Sequence, residues 1–333
     1  MPSPLRPPGR RVAVLGGSGW VGRHVCTEYA RHGWRVLVLG RRPMPYLAGY
    51  EFHPVDLATT TTGQLATVLD ATGATVVVNA TDAANTTDGW DRSEAELSVV
   101  NIEAVRRIVV AVASLPRPVR LVHIGTVHEY GPVPTGTSVP ETAPPRPVNA
   151  YARSKLGGTR AVLDATGRGA VDATVLRVAN VCGPYPSPAS FPGTLLRVFR
   201  EAVEGDTRPE LVLADARRDF VDVRDVARAI RLAGTAATTE PLLNVGSGVA
   251  MPVRRLAEEL AVVAGVTLDA VRWSRRRVAS LGGDWIRTDV RLAERRLGWR
   301  PRTPLRESLR AMWTAGFVRP PIEGDEQLWV PAP

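Results

Sequence analysis

The chain has 333 residues, 44% of them hydrophobic, and carries 42 Lys plus Arg against 33 Asp plus Glu, a formal net charge of +9. A chain of this length and apolar share can bury a substantial core as one large domain or as two that share an interface. It holds no apolar run of about 18 residues, and its start, "MPSPLRPPGR", lacks the apolar stretch of a secretion signal, so neither membrane spanning nor export is expected and a cytoplasmic protein is.

In chain order, "RVAVL" (11–15) reads as a first strand, followed at once by "GGSGWVG", a Gly16-x-x-Gly19-x-x-Gly22 loop that can also be read from Gly17. Glycines let such a loop turn tightly and approach a pyrophosphate, while the next helix offers N–H groups and the positive end of its dipole. Gly16, Gly19, Trp20, Val21 and Gly22 are therefore expected to bind a dinucleotide. A helix near 20–32 and a second strand "RVLVLG" (35–40) follow. An acidic side chain at that strand's end would accept bonds from an adenosine ribose; here Gly40 stands near that position and Arg41 and Arg42 come next. Guanidinium groups suit a 2′-phosphate, so NADP(H) is expected, with NAD(H) as the alternative if both arginines are ordinary loop residues.

Farther on, Asp56 and Leu57 in "PVDL" are candidates for the adenine end of the cleft, and Ala80, closing the strand "TVVVNA" (75–80), is a candidate for its wall; each residue also has a purely structural reading. Helices are expected near 62–71, 91–114 and 150–166, with strands "VRLVHIG" (119–125) and "DATVLRV" (172–178). Alternating short β-branched runs and helical stretches predict an α/β fold: a Rossmann-type, doubly wound parallel sheet over residues 1–178. From about 180 the pattern breaks into shorter elements, with helices near 191–204, 223–234, 252–264 and 289–297, read as a smaller α/β substrate domain over 179–318 partly interleaved with the first. The first ten residues and a Pro-rich tail (319–333) read as flexible or draped over the surface. Cys26 and Cys182 lie in unrelated segments without metal-ligand spacing and are read as packing residues, with no metal site and no disulfide. The Arg275-Arg276-Arg277 cluster lacks interleaved aromatics and completes no nucleic-acid signature, so a solvated surface is expected and no nucleic-acid partner.

The chain contains one lysine, Lys155, in "NAYARSKL", four residues after Tyr151; every other basic residue is arginine. Random placement would set it four after one of the 6 tyrosines in roughly 2% of cases. On a helix the two side chains share one face, a turn apart. A desolvated ammonium beside the phenol, with the cofactor's own positive nicotinamide, would favour the phenolate, lower its pKa from about 10 and let Tyr151 pass a proton, while three rotatable donors could reach ribose hydroxyls. Thr126, ending a central strand in "HIGTVHEYG", is the candidate to polarise a substrate oxygen, since open α/β sheets place ligands there.

These residues, together with "LRVANVCGP" (176–184), "RRDFVDVRDVARAI" (217–230), "NVGSG" (244–248) and "LGWRP" (297–301), resemble the extended short-chain dehydrogenase/reductases, the NAD-dependent epimerase/dehydratase family, that act on nucleotide-diphosphate sugars. The resemblance covers about residues 11–315. It implies catalytic roles for Thr126, Tyr151 and Lys155, a substrate contact at Asn180 and a diphosphate or nucleotide contact at Arg218. It also implies a homodimer paired through the helices near 91–114 and 150–166. Dehydratases of that family carry Asp-Glu directly after the catalytic Thr; Val127-His128 stand there instead, and Glu129, one place late, would face away if the segment stayed extended. His128 reads as structural or as an additional proton donor. The Gly40-Arg41-Arg42 loop suggests an NADPH that dissociates after giving hydride once. "TVHEYGPVPTGT" resembles, less specifically, the 4-ketoreductases of dTDP-deoxyhexose pathways in antibiotic biosynthesis. The expected activity is NADPH-dependent reduction at C4 of a dTDP-4-keto-6-deoxyhexose. The alternatives are a nucleotide-sugar 4-epimerase, then a dehydratase, with a non-enzymatic Rossmann sensor or nucleic-acid binder last.

Overall fold

The computed structural model describes residues 10–82, 93–237, 240–274, 276, 280 and 283–316. The opening nine residues, the 319–333 tail, and Arg275 and Arg277 of the basic cluster lie outside the described residues.

The first half runs β1 (Arg11–Leu15), α1 (Trp20–Arg31), β2 (Arg35–Gly40), β3 (Glu51–Pro54), α2 (Thr62–Thr72), β4 (Val76–Asn79), α3 (Glu94–Ser98), α4 (Ala104–Ala113), β5 (Arg120–Thr126), α5 (Ala150–Gly167) and β6 (Asp172–Val178). The second half follows with β7 (Asn180–Cys182), α6 (Phe191–Glu204), β8 (Glu210–Leu211), β9 (Arg217–Asp222), α7 (Val223–Thr235), β10 (Leu242–Val245), β11 (Ala250–Pro252), α8 (Val253–Ala264), β12 (Arg272–Trp273), α9 (Arg291–Leu297) and α10 (Leu305–Ala315). Seven strands form one parallel sheet in the order β10-β6-β5-β4-β1-β2-β3. Its central strands are near-continuous Val and Leu because both faces are covered. Val12 and Val14 of β1 pack with Val25 and Tyr29 of α1 and Ile230 of α7 on one face, whereas Ala13 and Leu15 meet Leu65 of α2, Ile108 of α4 and Val162 of α5 on the other. Successive side chains in a strand point to opposite faces, so one strand feeds both layers. Each fully buried Val or Leu contributes roughly 1.5–3 kcal/mol. This is the doubly wound, Rossmann-type architecture.

The expected helix near 91–114 is built as α3 and α4 joined by a π-helical turn, Val99–Glu103. A Cβ on Gly158 of α5 would lie 2.2 Å from the Asn101 carbonyl oxygen, so glycine there lets α5 press onto that turn. Asn101 Nδ2 donates to Ser154 Oγ (3.0 Å) and fixes the contact.

The second lobe has a three-stranded sheet, β11-β9-β7, and a two-stranded pair, β12-β8. Leu195, Phe199, Leu256, Leu260, Leu309 and Met312 from α6, α8 and α10 form its core. Between these pieces the chain returns to the main sheet: β10 adds to β6 and α7 packs beside α1. Cys26 and Cys182 are buried free thiols in separate clusters, and burial pushes each thiol up to about 12. Among the described residues no helix is long and apolar enough to cross a membrane.

Candidate active site

The carboxyl ends of β1, β2, β4 and β5 converge where the strand order reverses between β1 and β4, the place open α/β sheets hold ligands. Gly16 leaves β1 with φ +76°, a conformation that favours glycine, and a Cβ there would lie 2.8 Å from the Ala80 carbonyl oxygen. Gly22 is needed for another reason: its Cβ would stand 2.1 Å from Gly16 O, so α1 can begin only this close to the loop without a side chain. Gly19 caps α1, which has neither a side-chain cap nor an acidic residue in its first turn. That leaves backbone N–H groups and the positive dipole end directed at the space above Gly16-Gly19, a cradle that fits a pyrophosphate. Trp20 and Val21 open the helix and are half-buried.

Arg41 and Arg42 are exposed just beyond β2. Asp56 is exposed and accepts from the Ala58 N–H (3.0 Å), a local turn bond, while Leu57 packs on the α2/α4 core. Ala80 is half-buried at the end of β4, its N–H on Leu15 O (2.9 Å). Sequence reasoning missed a clasp between α1 and the segment after β7. Trp20 Nε1 donates to Pro184 O (2.9 Å), His24 Nε2 meets the same oxygen (3.2 Å), and the Arg23 guanidinium lies 4.3 Å from the Tyr46 ring centre and 4.0 Å from that of Tyr185. Pro184 is 164 positions from Trp20, a pairing that no local pattern reveals.

Thr126 ends β5, and Tyr151 and Lys155 lie in the first turns of α5, whose N-terminus is capped by Asn149 accepting from the Ala152 N–H (2.8 Å). Tyr151 is 8% exposed and Lys155 3%. Lys155 Nζ donates to Ile124 O (2.8 Å), two residues before Thr126, so the sheet end and the helix face that carries the pair are tied together. The Thr126 hydroxyl oxygen accepts from the His128 N–H (3.4 Å), which leaves its own O–H as a donor toward another oxygen. Burial, followed by the Asp82 carboxylate and Glu129, holds Tyr151 well above its ordinary value, and its hydroxyl donates to Asp82 Oδ2 (2.9 Å).

The segment after Thr126 also corrects the extended reading. Val127–Tyr130 is a 3-10 turn, so Glu129 folds inward rather than away and is fully buried. It accepts from the Thr126 N–H (2.9 Å), the Thr159 hydroxyl (2.9 Å) and Arg177 Nε (2.8 Å). Engaged on three sides, it supports the floor of the site. A Cβ on Gly125 would meet its carboxylate at 2.7 Å, which accounts for glycine before Thr126.

Asn180, on β7, donates to Asp219 O (3.0 Å) and hydrogen-bonds His128. The Arg218 side chain bonds Ser280 Oγ and the Gly283 carbonyl, and burial lowers its guanidinium to about 10. His128 is pushed down to about 4, first by burial and then by the Arg218 charge, so it is a neutral imidazole between Asn180 and Arg218. His24 is likewise pushed to about 4, chiefly by burial. A folded-state pKa below the unfolded value of about 6.5 means that acid favours unfolding: the contribution is complete above pH 6.5 and is lost as pH falls from about 6.5 to about 4. Each histidine accounts for about 3 kcal/mol over that window. Urea unfolding followed between pH 7 and 4 should show the loss, and His24→Gln together with His128→Gln should reduce it, the part that remains coming from His123, which burial also holds neutral.

The profile of the NAD dependent epimerase/dehydratase family matches residues 12–246. A dTDP-6-deoxy-L-talose 4-dehydrogenase (NAD(P)(+)) of Kitasatospora kifunensis is 35% identical over 312 residues, 93% of this chain and 96% of that one. A GDP-6-deoxy-D-mannose reductase of Pseudomonas aeruginosa is 27% identical across 91% of this chain and 96% of its own. Among solved structures, the UDP-glucose 4-epimerase of Thermus thermophilus in complex with NAD superposes with a TM-score of 0.80 at 25% identity, covering 92% of this chain and 98% of that one.

Proposed function

The chain belongs to the NAD dependent epimerase/dehydratase family, and from that premise we propose that it reduces the C4 ketone of a dTDP-4-keto-6-deoxyhexose with NADPH in deoxysugar biosynthesis of the antibiotic type. The observation that carries this reading is the end of β2, where Gly40 replaces a ribose-binding carboxylate and the exposed Arg41 and Arg42 follow. Two guanidinium groups favour a 2′-phosphate, and a cofactor that comes and goes suits net reduction better than a hydride returned to the same sugar. The relative at 35% identity is named for the same C4 alcohol and ketone couple on a dTDP-6-deoxyhexose, written in the oxidising direction. One active site serves both directions of a redox step, so that name supports the couple without fixing the direction.

The glycine cradle fits the cofactor pyrophosphate, with Gly16, Gly19 and Gly22 shaping it and the N-terminus of α1 facing the charge. When bound, the reduced nicotinamide supplies hydride to the carbonyl carbon. Thr126 donates its hydroxyl proton in a hydrogen bond to the carbonyl oxygen, and Tyr151 transfers its phenolic proton to that oxygen as the alcohol forms. Lys155 has three donors; one is committed to Ile124 O, and the ribose is the partner we assign to the others. Asn180 and Arg218 flank the sugar-nucleotide side of the cleft. Dehydration lacks its acid and base: Val127 and His128 follow Thr126, and Glu129 is spent on Arg177. The reading includes a cytoplasmic homodimer paired through α4 and α5.

A 4-epimerase is the second reading, favoured by the Thermus thermophilus superposition. One assay separates the two. Reduced nicotinamide absorbance should fall only when a dTDP-4-keto-6-deoxyhexose is added with NADPH; tightly held NAD with sugar isomerisation and no net oxidation would establish the epimerase instead.

A further inference from the structure

We propose that Asp82 is a positioning residue for the proton of Tyr151: its carboxylate, at the carboxyl end of β4, accepts the phenolic hydrogen and keeps Tyr151 in the form that donates. The inference rests on the reading of Tyr151 as the proton donor and adds the group that sets its protonation.

The geometry is built rather than incidental. Asn79 closes β4 and is itself fixed, its Nδ2 on His123 Nδ1 (3.0 Å). The Asn79 side-chain oxygen accepts from both the Thr81 N–H (3.1 Å) and the Thr81 hydroxyl (2.6 Å). That turn aims the next residue, Asp82, across the cleft at α5, where Tyr151 Oη donates to Oδ2 at 2.9 Å. The Tyr151 ring packs with Leu97 and Val100, which holds it in place for the contact.

A neutral phenol gives this carboxylate a hydrogen bond. A phenolate would remove the bond and set two anions face to face in a nearly buried site, where both terms oppose ionisation. Among the described residues, the other charges around the pair do not reverse this. Glu129, from the turn after β5, adds negative charge and is paired with Arg177 of β6. Lys155, one turn along α5, directs Nζ to Ile124 O, and the His123 facing it is held neutral by burial. From α3, Glu94 pairs with Arg153, and Glu96 caps Ser93. His128, which faces Asp82, is a neutral imidazole beside Arg218.

Reduction consumes the phenolic proton: the Tyr151 O–H bond breaks, an O–H bond forms on the carbinol oxygen, and hydride comes from NADPH. The phenolate left behind faces Asp82 and is driven to take a proton back. Oxidation of the alcohol must start from that disfavoured phenolate. Asp82 therefore extends reduction to higher pH and delays the onset of oxidation by the same interval.

The test needs neither substrate nor cofactor. Fluorotyrosine, a more acidic phenol, is placed at position 151 of the full chain and titrated by fluorine NMR in the otherwise wild-type protein and in Asp82→Asn, Asp82→Ala and Asp82→Glu. Asp82→Asn and Asp82→Ala should ionise at least one pH unit lower, a tenfold change in acid constant, and Asp82→Glu should stay near wild type. A wild-type signal that fails to titrate before alkaline unfolding, while the Asn variant titrates, supports the proposal equally. Identical titrations in all four proteins overturn it. Because the readout is the phenol itself, a shifted titration in a protein inactive on 4-keto sugars counts against the proposed reaction and not against Asp82.

Discussion

Tyr151→Phe is expected to lower kcat/KM for ketone reduction by about 10²–10⁴-fold, the range a positioned general acid contributes. Phenylalanine fills the same volume, and with Tyr151 8% exposed against Leu97 and Val100 the ring keeps its packing. Only the hydroxyl is lost, together with its bond to Asp82. The thermal midpoint should therefore hold while turnover collapses. Lys155→Arg should follow it in activity for a different reason. The ammonium is 3% exposed and reaches Ile124 O at 2.8 Å. A planar guanidinium is larger, cannot rotate three donors about one nitrogen, and would overpack the wall at a cost of about 1–3 kcal/mol. Steady-state kinetics with NADPH, paired with thermal melts, check both variants. Turnover within tenfold of wild type in Tyr151→Phe would remove the proton-donor assignment, and an unimpaired Lys155→Arg would make the single lysine an accident of composition.

How much of the fold and the site is legible in the sequence depends on how local each signal is. β1, β2 and β6 are legible to the residue because strands buried on both faces read as near-continuous apolar runs rich in Val and Leu. β3, "EFHP", lies at the sheet edge with partly exposed, polar residues and has no such run. β10 is four residues long, and its pairing with β6 spans the whole excursion through β7, β9 and α7, so the return of the chain to the first sheet leaves no local mark. α10 does carry a signal, since Leu305, Leu309 and Met312 recur at helical spacing. At the site, the glycine loop, Thr126, Tyr151 and Lys155 announce themselves by spacing. Asp82 does not, being 69 positions from the tyrosine it meets. The outward placement of Glu129 fails because it carries the alternation of a strand past the strand's end; the chain turns at Val127, and a 3-10 turn points the third side chain inward.

That inward glutamate yields the largest stability effect expected of a single substitution at the site. Glu129 is 0% exposed and Arg177 3%, with Nε to Oε2 at 2.8 Å. Arg177 also lies 4.4 Å from the centre of the Tyr130 ring, whose hydroxyl donates to Asn244 Oδ1 (2.7 Å) on β10. The network therefore joins the turn after β5, β6 and the returning strand beneath Thr126. Removing one member of a buried pair strands the other charge, at a cost of about 3–5 kcal/mol, whereas replacing both by neutral groups of similar volume is often near neutral. Arg177→Met should thus be severely destabilised in urea unfolding. The double variant Arg177→Met, Glu129→Gln should recover a large part of the loss, because the introduced amide keeps an oxygen for the Thr126 N–H and carries no charge to strand. In a double-mutant cycle the coupling between the two positions should exceed about 1 kcal/mol. Strictly additive losses would show that the two side chains act independently and that the floor of the site is held by packing alone. Since the Thr126 N–H bonds Glu129, residual activity in the single variant should fall further than in the double one, coupling the stability of this buried network to the geometry that presents the Thr126 hydroxyl.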